Sequence, residues 1–296
     1  MSTIYRISPE RLQPVGMSEA MAALQRGFNQ FDIDFYIVGA VARDIWMTQV
    51  YNGPDHRTTK DLDLAVFISE LATYEALQAW LTEHEGFMQV QSSAFCLLYP
   101  APTATVVVDL MPFGAIADEQ GNVYLSGRGM ERISTVGFAE VLAEAATVDT
   151  ATGEQWRVVT LPGMVALKLV AWQDRPEKRG KDATDIWNLL AVYFDLAENE
   201  VYTDHLDLFD EDDTTASTHF KLLVGARVLG RQVGQMLAAG SVGTRLLALL
   251  AEELALGEQS QLARAMSRTG PEQATCLAAL NALRTGISEA GPPPTT

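Results

Sequence analysis

Residues 60–66, KDLDLAV, alternate charged and apolar side chains with a period of two, the pattern of a strand with one buried face. Residues two apart on a strand project to the same side. Asp61 and Asp63 therefore point together, while Leu62 and Leu64 point into a core. Two neighbouring carboxylates repel, and burying them unpaired is costly. A divalent cation removes that cost, and hard ions such as Mg²⁺ or Mn²⁺ take oxygen ligands, often one or two carboxylates plus the phosphates of a substrate. Taken alone the D-x-D spacing is more often an ordinary solvated strand face than a metal site.

Two further segments strengthen the functional side of that balance. In VVVDLMPF three β-branched valines lead into Asp109, so a carboxylate emerges from an apolar strand, where charges are rarely placed without a partner. The plainer alternative is that Asp109 ends its strand at the surface. In IVGAVARD a short apolar strand (Phe35 to Val38) runs into Gly39-Ala40 and a helix follows at once. Small residues there let backbone amides approach a phosphate at a helix start, and Arg43 is within reach of a phosphate oxygen; in isolation such a turn is more often simple packing.

The remaining pattern divides the chain. Strands are expected over Met88 to Tyr99 and Ala104 to Leu110, a helix from an N-cap at Ser69 to about Glu83, and a hairpin with Gly121-Asn122 within residues 115–136. From Leu161 the apolar spacing turns to three and four, giving helices over Leu161 to Trp172 and Lys181 to Phe194, then Leu- and Ala-rich helices beyond Thr218. Asp195 to Asp213 holds nine carboxylates and no Lys or Arg, and reads as a solvated acidic loop. The expected organisation is an α/β domain over 1–150, a helical domain over 151–290 and a disordered tail, 291–296.

In order along the chain, a small-residue turn, a D-x-D about twenty residues later and a third Asp on a later strand resemble the nucleotidyltransferase superfamily that shares the DNA polymerase β-type palm. The turn IVGAVARD is similar to the G-G-x-x-R-D signature of tRNA terminal (CCA-adding) enzymes, with Ala40 in place of the usual Gly or Ser. The segment LPGMVALKLVAWQDRPEKRGKDATDIWNLL resembles the helix-Lys and basic-Asp-x-x-Asp pattern of the AbiEii/AbiGii abortive-infection nucleotidyltransferase toxins. That resemblance covers about residues 33–194. It implies an α/β (α+β) palm with a mixed sheet followed by a C-terminal helical domain. It also implies Asp61, Asp63 and Asp109 as metal ligands, Lys168 on nucleotide phosphate, Asp182 as needed for activity and Asp185 in support.

Physical reading of the same segment is compatible and less specific. Lys168 follows an apolar helix start, so it is a partly buried cation that needs an anionic partner. Residues 168–181 hold five Lys or Arg against two acidic residues, in a chain of net charge −17. That stretch reads either as a phosphate-binding wall across a cleft or as a solvated charged face. The acidic total excludes a protein that coats nucleic acid nonspecifically; contact with RNA requires a local basic patch.

The expected activity is transfer of a nucleoside monophosphate from an NTP to a hydroxyl acceptor, with pyrophosphate released. The resemblance points to a tRNA 3′ end as acceptor and an antitoxin as partner. The alternatives are adenylylation of a small antibiotic-like molecule or a protein side chain, and a non-catalytic nucleotide-binding scaffold. No run of the roughly 18 apolar residues needed to span a bilayer occurs, and the N-terminus lacks a secretory h-region, so a cytoplasmic protein is expected. Cys96 and Cys276 read as plain structural thiols, and His56, in the loop before the D-x-D, as solvated.

Overall fold

A computed structural model of the chain describes residues 5–52, 59, 61–102, 104–127, 129–151, 153–209, 219–268 and 270–290. His56, residues 210–213 of the acidic segment and the tail 291–296 lie outside them. The chain divides into two compact units, Met1–Thr160 and Leu161–Thr296. None of the described helices is long and apolar enough to cross a membrane.

The first unit is built on an eight-stranded mixed sheet in the order β1-β9-β10-β2-β3-β6-β5-β4. Its centre is β3 (Asp61–Phe67), which runs parallel to β6 (Thr105–Phe113) on one side and antiparallel to β2 (Phe35–Ile37) on the other. Leu62 and Leu64 on β3 and Val106, Val108 and Leu110 on β6 are fully buried. Their alternation with polar residues pins the register, because a slip of one residue would put every apolar side chain on the wrong face. The other strands are β1 (Tyr5–Ile7), β4 (Met88–Gln89), β5 (Cys96–Pro100), β9 (Ala146–Thr150) and β10 (Gln155–Val158). Helix α1 (Met17–Phe31) buries Met17, Met21, Leu24 and Phe28, the stripe of an amphipathic helix. It meets α3 (Leu71–His84) where Gly27 leaves room for Leu77 and Leu81. Helix α2 (Gly39–Asp44) opens directly after β2, and α4 (Phe138–Ala143) closes an aromatic cluster in which Phe138 packs edge-on to Tyr36 and Phe113.

Several local expectations are corrected. Ser69 does not cap α3: the helix starts at Leu71, with Glu70 at the N-cap position and no side-chain cap bond. The strand expected over Met88 to Tyr99 is broken between β4 and β5. The hairpin expected within residues 115–136 is present as β7 (Asn122–Ser126) paired with β8 (Met130–Ser134); Gly121-Asn122 stands at its start, where the Asp118 carboxylate accepts from the amides of Gln120 and Asn122.

The second unit is helical: α5 (Leu161–Asp174), α6 (Gly180–Leu196), α7 (Glu198–Asp204), α8 (Phe220–Met236), α9 (Val242–Ala255), α10 (Gln261–Ser267) and α11 (Gln273–Glu289). Helices α8 and α11 pack backbone to backbone. A Cβ on Gly230 or Gly286 would collide with the facing carbonyls of Leu283 and Arg227. Part of the segment read as an acidic loop is therefore ordered: α7 and a 3₁₀ turn over Leu206–Phe209 fold because Val201 and Leu208 are buried.

Candidate active site

The parallel pairing of β3 with β6 sets Asp63 directly opposite Asp109, and Asp61 opposite Val107. Register partners on adjacent strands lie roughly 4.8 Å apart and point to the same face. One face of the sheet thus carries Asp61, exposed, with Asp63 and Asp109, both half-buried. The electrostatics record that crowding. Burial pushes the Asp109 carboxyl up, a hydrogen bond from the Cys96 thiol works the other way, and the charges of Asp61 and Glu131 push it up further.

Gly39 completes the near side. Its φ is +67°, the left-handed region that glycine adopts without strain, and the Asp63 carboxylate lies against its Cα. A methyl group there would overlap Asp63 Oδ2 and stand 2.9 Å from Cγ and 3.1 Å from Cβ. The amide of Val38 donates to the Asp63 carbonyl at 2.9 Å, which locks the strand-to-helix turn to the carboxylate strand. Gly39 and Ala40 are both half-exposed, so their backbone is open to a ligand. Arg43 lies on the same turn. It is 5% exposed, and its Nε and Nη2 donate to Asp44 Oδ1 at 3.1 and 2.8 Å.

Three residues that sequence reasoning left out stand around Asp109. Cys96 on β5 is its antiparallel register partner, and the thiol is pushed up to about 12 by burial and then by the Asp109 charge. Glu131 on β8 accepts from the Ala94 amide at 2.7 Å and from Ser93 Oγ at 3.4 Å. Tyr74 on α3 donates to the Leu110 carbonyl at 2.8 Å, and Gln78 ties Tyr74 Oη to the Ala94 carbonyl with bonds of 3.0 and 2.9 Å. The strand bearing Asp109 is therefore tied to α3 by a polar chain that is buried at Tyr74 and half-buried at Gln78. Only the alternation of β5 could have pointed to Cys96; Glu131 comes from a hairpin whose placement no local signal gives.

A second cluster lies within the helical unit. Lys168 Nζ on α5 donates to Asp182 Oδ1 at 2.9 Å and to Asp185 Oδ2 at 2.8 Å, both on the first turns of α6. The three side chains are 12%, 17% and 12% exposed. Spacing of i, i+3 on α6 puts both carboxylates on one side, toward the cation. The anionic partner that a partly buried Lys168 requires is thus supplied by its own unit, and Arg179 adds a 3.5 Å contact to Asp182.

Among the described residues no three His, Cys, Asp or Glu side chains close around one point as an all-protein metal cage does. Mg²⁺ seldom needs such a cage: one or two carboxylates and the phosphates of a nucleotide are its ordinary ligands. A strand face of carboxylate oxygens, with one carboxyl pushed up by burial and then by its acidic neighbours, fits a hard divalent cation on that footing.

With this geometry in place, the comparisons with known proteins are informative. The family model described as "Nucleotidyl transferase AbiEii toxin, Type IV TA system" matches residues 22–275. The chain belongs to the AbiEii nucleotidyltransferase family. The match takes in both the carboxylate strands and the Lys168 cluster, and it makes the chain a nucleotidyltransferase of a toxin–antitoxin family. Comparison with curated protein sequences gave no match. Among solved structures, similar chains include the Elizabethkingia meningoseptica CdnE cyclic dinucleotide synthase with GTP and Apcpp, with a TM-score of 0.30 and 9% identity over 95% of this chain and 93% of that one. The antibiotic-resistance factor ANT(2'')-Ia has a TM-score of 0.32 and 12% identity over 82% and 96%, and Bradyrhizobium diazoefficiens CdnG with GTP 0.30 and 13% over 95% and 87%. At such TM-scores these likenesses are remote.

Proposed function

We propose that this member of the AbiEii family is a divalent-cation-dependent enzyme that moves a nucleoside monophosphate from an NTP to a tRNA 3′-end hydroxyl in the cytoplasm. The acceptor oxygen forms a bond to the α-phosphorus, the bond from that phosphorus to the β-bridging oxygen breaks, and pyrophosphate leaves with the electron pair. The observation that carries the reading is the register of Asp63 opposite Asp109, with Asp61 on the same face. Mg²⁺ or Mn²⁺, when bound, supplies Lewis acidity at the α-phosphate and neutralises the leaving pyrophosphate.

The residues of the chain take the other roles. Asp61, Asp63 and Asp109 hold the cations, and Asp109 accepts the proton of the acceptor hydroxyl. The half-exposed backbone of Gly39 and Ala40 cradles phosphate. For Arg43 to contribute, its guanidinium must exchange Asp44 for a phosphate oxygen. Lys168 serves as a phosphate cation and Asp182 as the partner it exchanges, while Asp185 keeps the ammonium in place. An antitoxin is the partner that membership of a type IV toxin–antitoxin family suggests.

The net charge of −17 favours a second reading, a small-molecule or protein acceptor that needs no basic footprint. Incubation with α-labelled NTPs plus either total tRNA or total cell protein separates the two. Label in tRNA supports the first reading; label confined to protein or small molecules removes it.

A further inference from the structure

In a chain this acidic, one corner of the helical unit brings several cations together. The 3₁₀ turn Pro176–Lys178 and the start of α6 bring Lys178, Arg179 and Lys181 together, all exposed. Arg268 joins them from the far end of α10, its guanidinium Nη1 3.4 Å from where a Cβ on Gly180 would stand. Arg179 leans on Asp182, whereas Lys178, Lys181 and Arg268 have no carboxylate partner among the described residues. Glu177 is the one acidic residue within the turn itself. Four cations against two carboxylates, Glu177 and Asp182, leave this corner locally positive.

That corner leads into a groove. Gly180, Thr184, Trp187 and Ala191 follow the i, i+4, i+7, i+11 spacing of one helical stripe, so the side of α6 that begins beside Arg268 continues to Trp187. Trp187 there lines an open groove of about 430 Å³ with Leu222 and Pro271, while His219, Glu272 and Thr275 supply its polar edge. The volume is in the range of small-ligand sites, which run from roughly 300 to 1,000 Å³. An indole and a prolyl ring form flat apolar walls for a base. A cationic rim at one end suits the phosphates that follow it. That combination of stacking surface and basic track is how single-stranded nucleic acid is held without sequence readout.

We propose that this groove, wholly within Leu161–Thr296, is the docking site for a single-stranded polynucleotide end, with a base against Trp187 and its phosphates on Lys178, Lys181 and Arg268. Glu272 then accepts from a base amine or a ribose hydroxyl, as the only acidic side chain among the groove's described lining residues. The site resolves the conflict between an RNA acceptor and a net charge of −17: contact is confined to a patch that carries its own positive field. This inference rests on the reading that the acceptor is a polynucleotide.

The test is fluorescence anisotropy of the full chain with a labelled single-stranded oligoribonucleotide of about ten nucleotides, within the roughly 4–16 that such grooves cover, over a salt series. Lys178→Ala/Lys181→Ala/Arg268→Ala should flatten the log–log salt dependence by about 2, three phosphate contacts at roughly 0.7 each for a single strand. Trp187→Ala should weaken binding about five- to a hundredfold at every salt concentration without changing the slope, and Trp187→Phe should restore most of it. Circular dichroism and thermal melting establish that each variant folds. Unchanged affinity and slope in folded variants overturn the proposal, as does equal competition by a polyglutamate peptide, which would mark an acidic protein as the occupant. Asp61→Asn/Asp63→Asn keeps the two hypotheses apart. It should bind RNA like the wild type and transfer nothing, whereas a wild type that transfers label while failing to bind the oligonucleotide sinks the groove and spares the transfer.

Discussion

Replacing Gly39 with alanine tests whether the turn after β2 and the carboxylate strand are one device. The wild-type φ of +67° disfavours any side chain by about 1–2 kcal/mol. The added methyl also overlaps Asp63 Oδ2 and stands 2.9 Å from Cγ and 3.1 Å from Cβ, so rotating the carboxylate away does not relieve the contact and Asp63 itself must shift. Together these should cost about 2–3 kcal/mol, a fall in Tm of about 5–10 °C for a unit of this size. The effect on catalysis should be disproportionate. A shift on the order of 1 Å in a positioning group costs about a hundredfold in rate, and Asp63 is the residue in register with Asp109. The assay is kcat/KM for transfer from an α-labelled NTP to total tRNA with saturating Mg²⁺, run beside thermal melting. Ala40→Gly serves as the control, since it adds no atom. If Gly39→Ala melts as expected yet keeps its rate within about threefold, the turn does not position the carboxylates and the site has been drawn wrongly.

Other outcomes follow from the same structure. Asp109→Asn should abolish transfer yet raise the melting temperature at neutral pH: the folded pKa of Asp109 lies above its unfolded value, so its contribution favours the fold at low pH and is lost as pH rises through the folded pKa. A lower Tm in that variant would contradict the crowding argument. Lys168→Ala should cost about 2–3 kcal/mol in urea unfolding, because it leaves two largely buried carboxylates facing each other; adding Asp185→Asn should recover part of that loss, and failure to recover any would place the cost elsewhere. The helical unit should lose stability in acid. The Arg231 guanidinium holds Asp207 below the usual carboxylate range, and Arg227 and Arg231 overcome the effect of burial on Glu289 to lower it as well. Both contributions are present above the ordinary carboxylate pKa and are lost as pH falls through the depressed folded values, so Asp207→Asn/Glu289→Gln should lessen the difference between urea midpoints at neutral and acid pH. An undiminished difference would assign acid sensitivity to other groups.

What the sequence revealed and what it hid follow a physical division. The faces of β3 and β6 were legible because period-two alternation fixes which side chains share a side, and the register that joins Asp63 to Asp109 follows once the two apolar strands are adjacent. That a partly buried Lys168 needs an anion was legible too, but that Asp182 and Asp185 supply it within the same unit was not. Contacts across long separations were not. Glu131 comes to the Asp109 strand through a hairpin, and Arg268 reaches Gly180 from the end of α10. For Arg43 the turn motif gave no sign of its burial or of its contact with the adjacent Asp44. Ser69 failed as an N-cap because the chain enters α3 one residue later, at Glu70, and capping preferences set only a local bias.

The central claim is that Asp61, Asp63 and Asp109 drive nucleotidyl transfer to a tRNA 3′ end. Its most direct test is incubation of the purified chain with each α-labelled NTP, Mg²⁺ or Mn²⁺ and total tRNA, followed by electrophoresis of the RNA. The account predicts label at the 3′ end with the wild type, release of one pyrophosphate per nucleotide added, and no label with EDTA or with Asp61→Asn/Asp63→Asn. Transfer that persists in the double variant, or label that never enters RNA while entering protein or a small molecule, would contradict it.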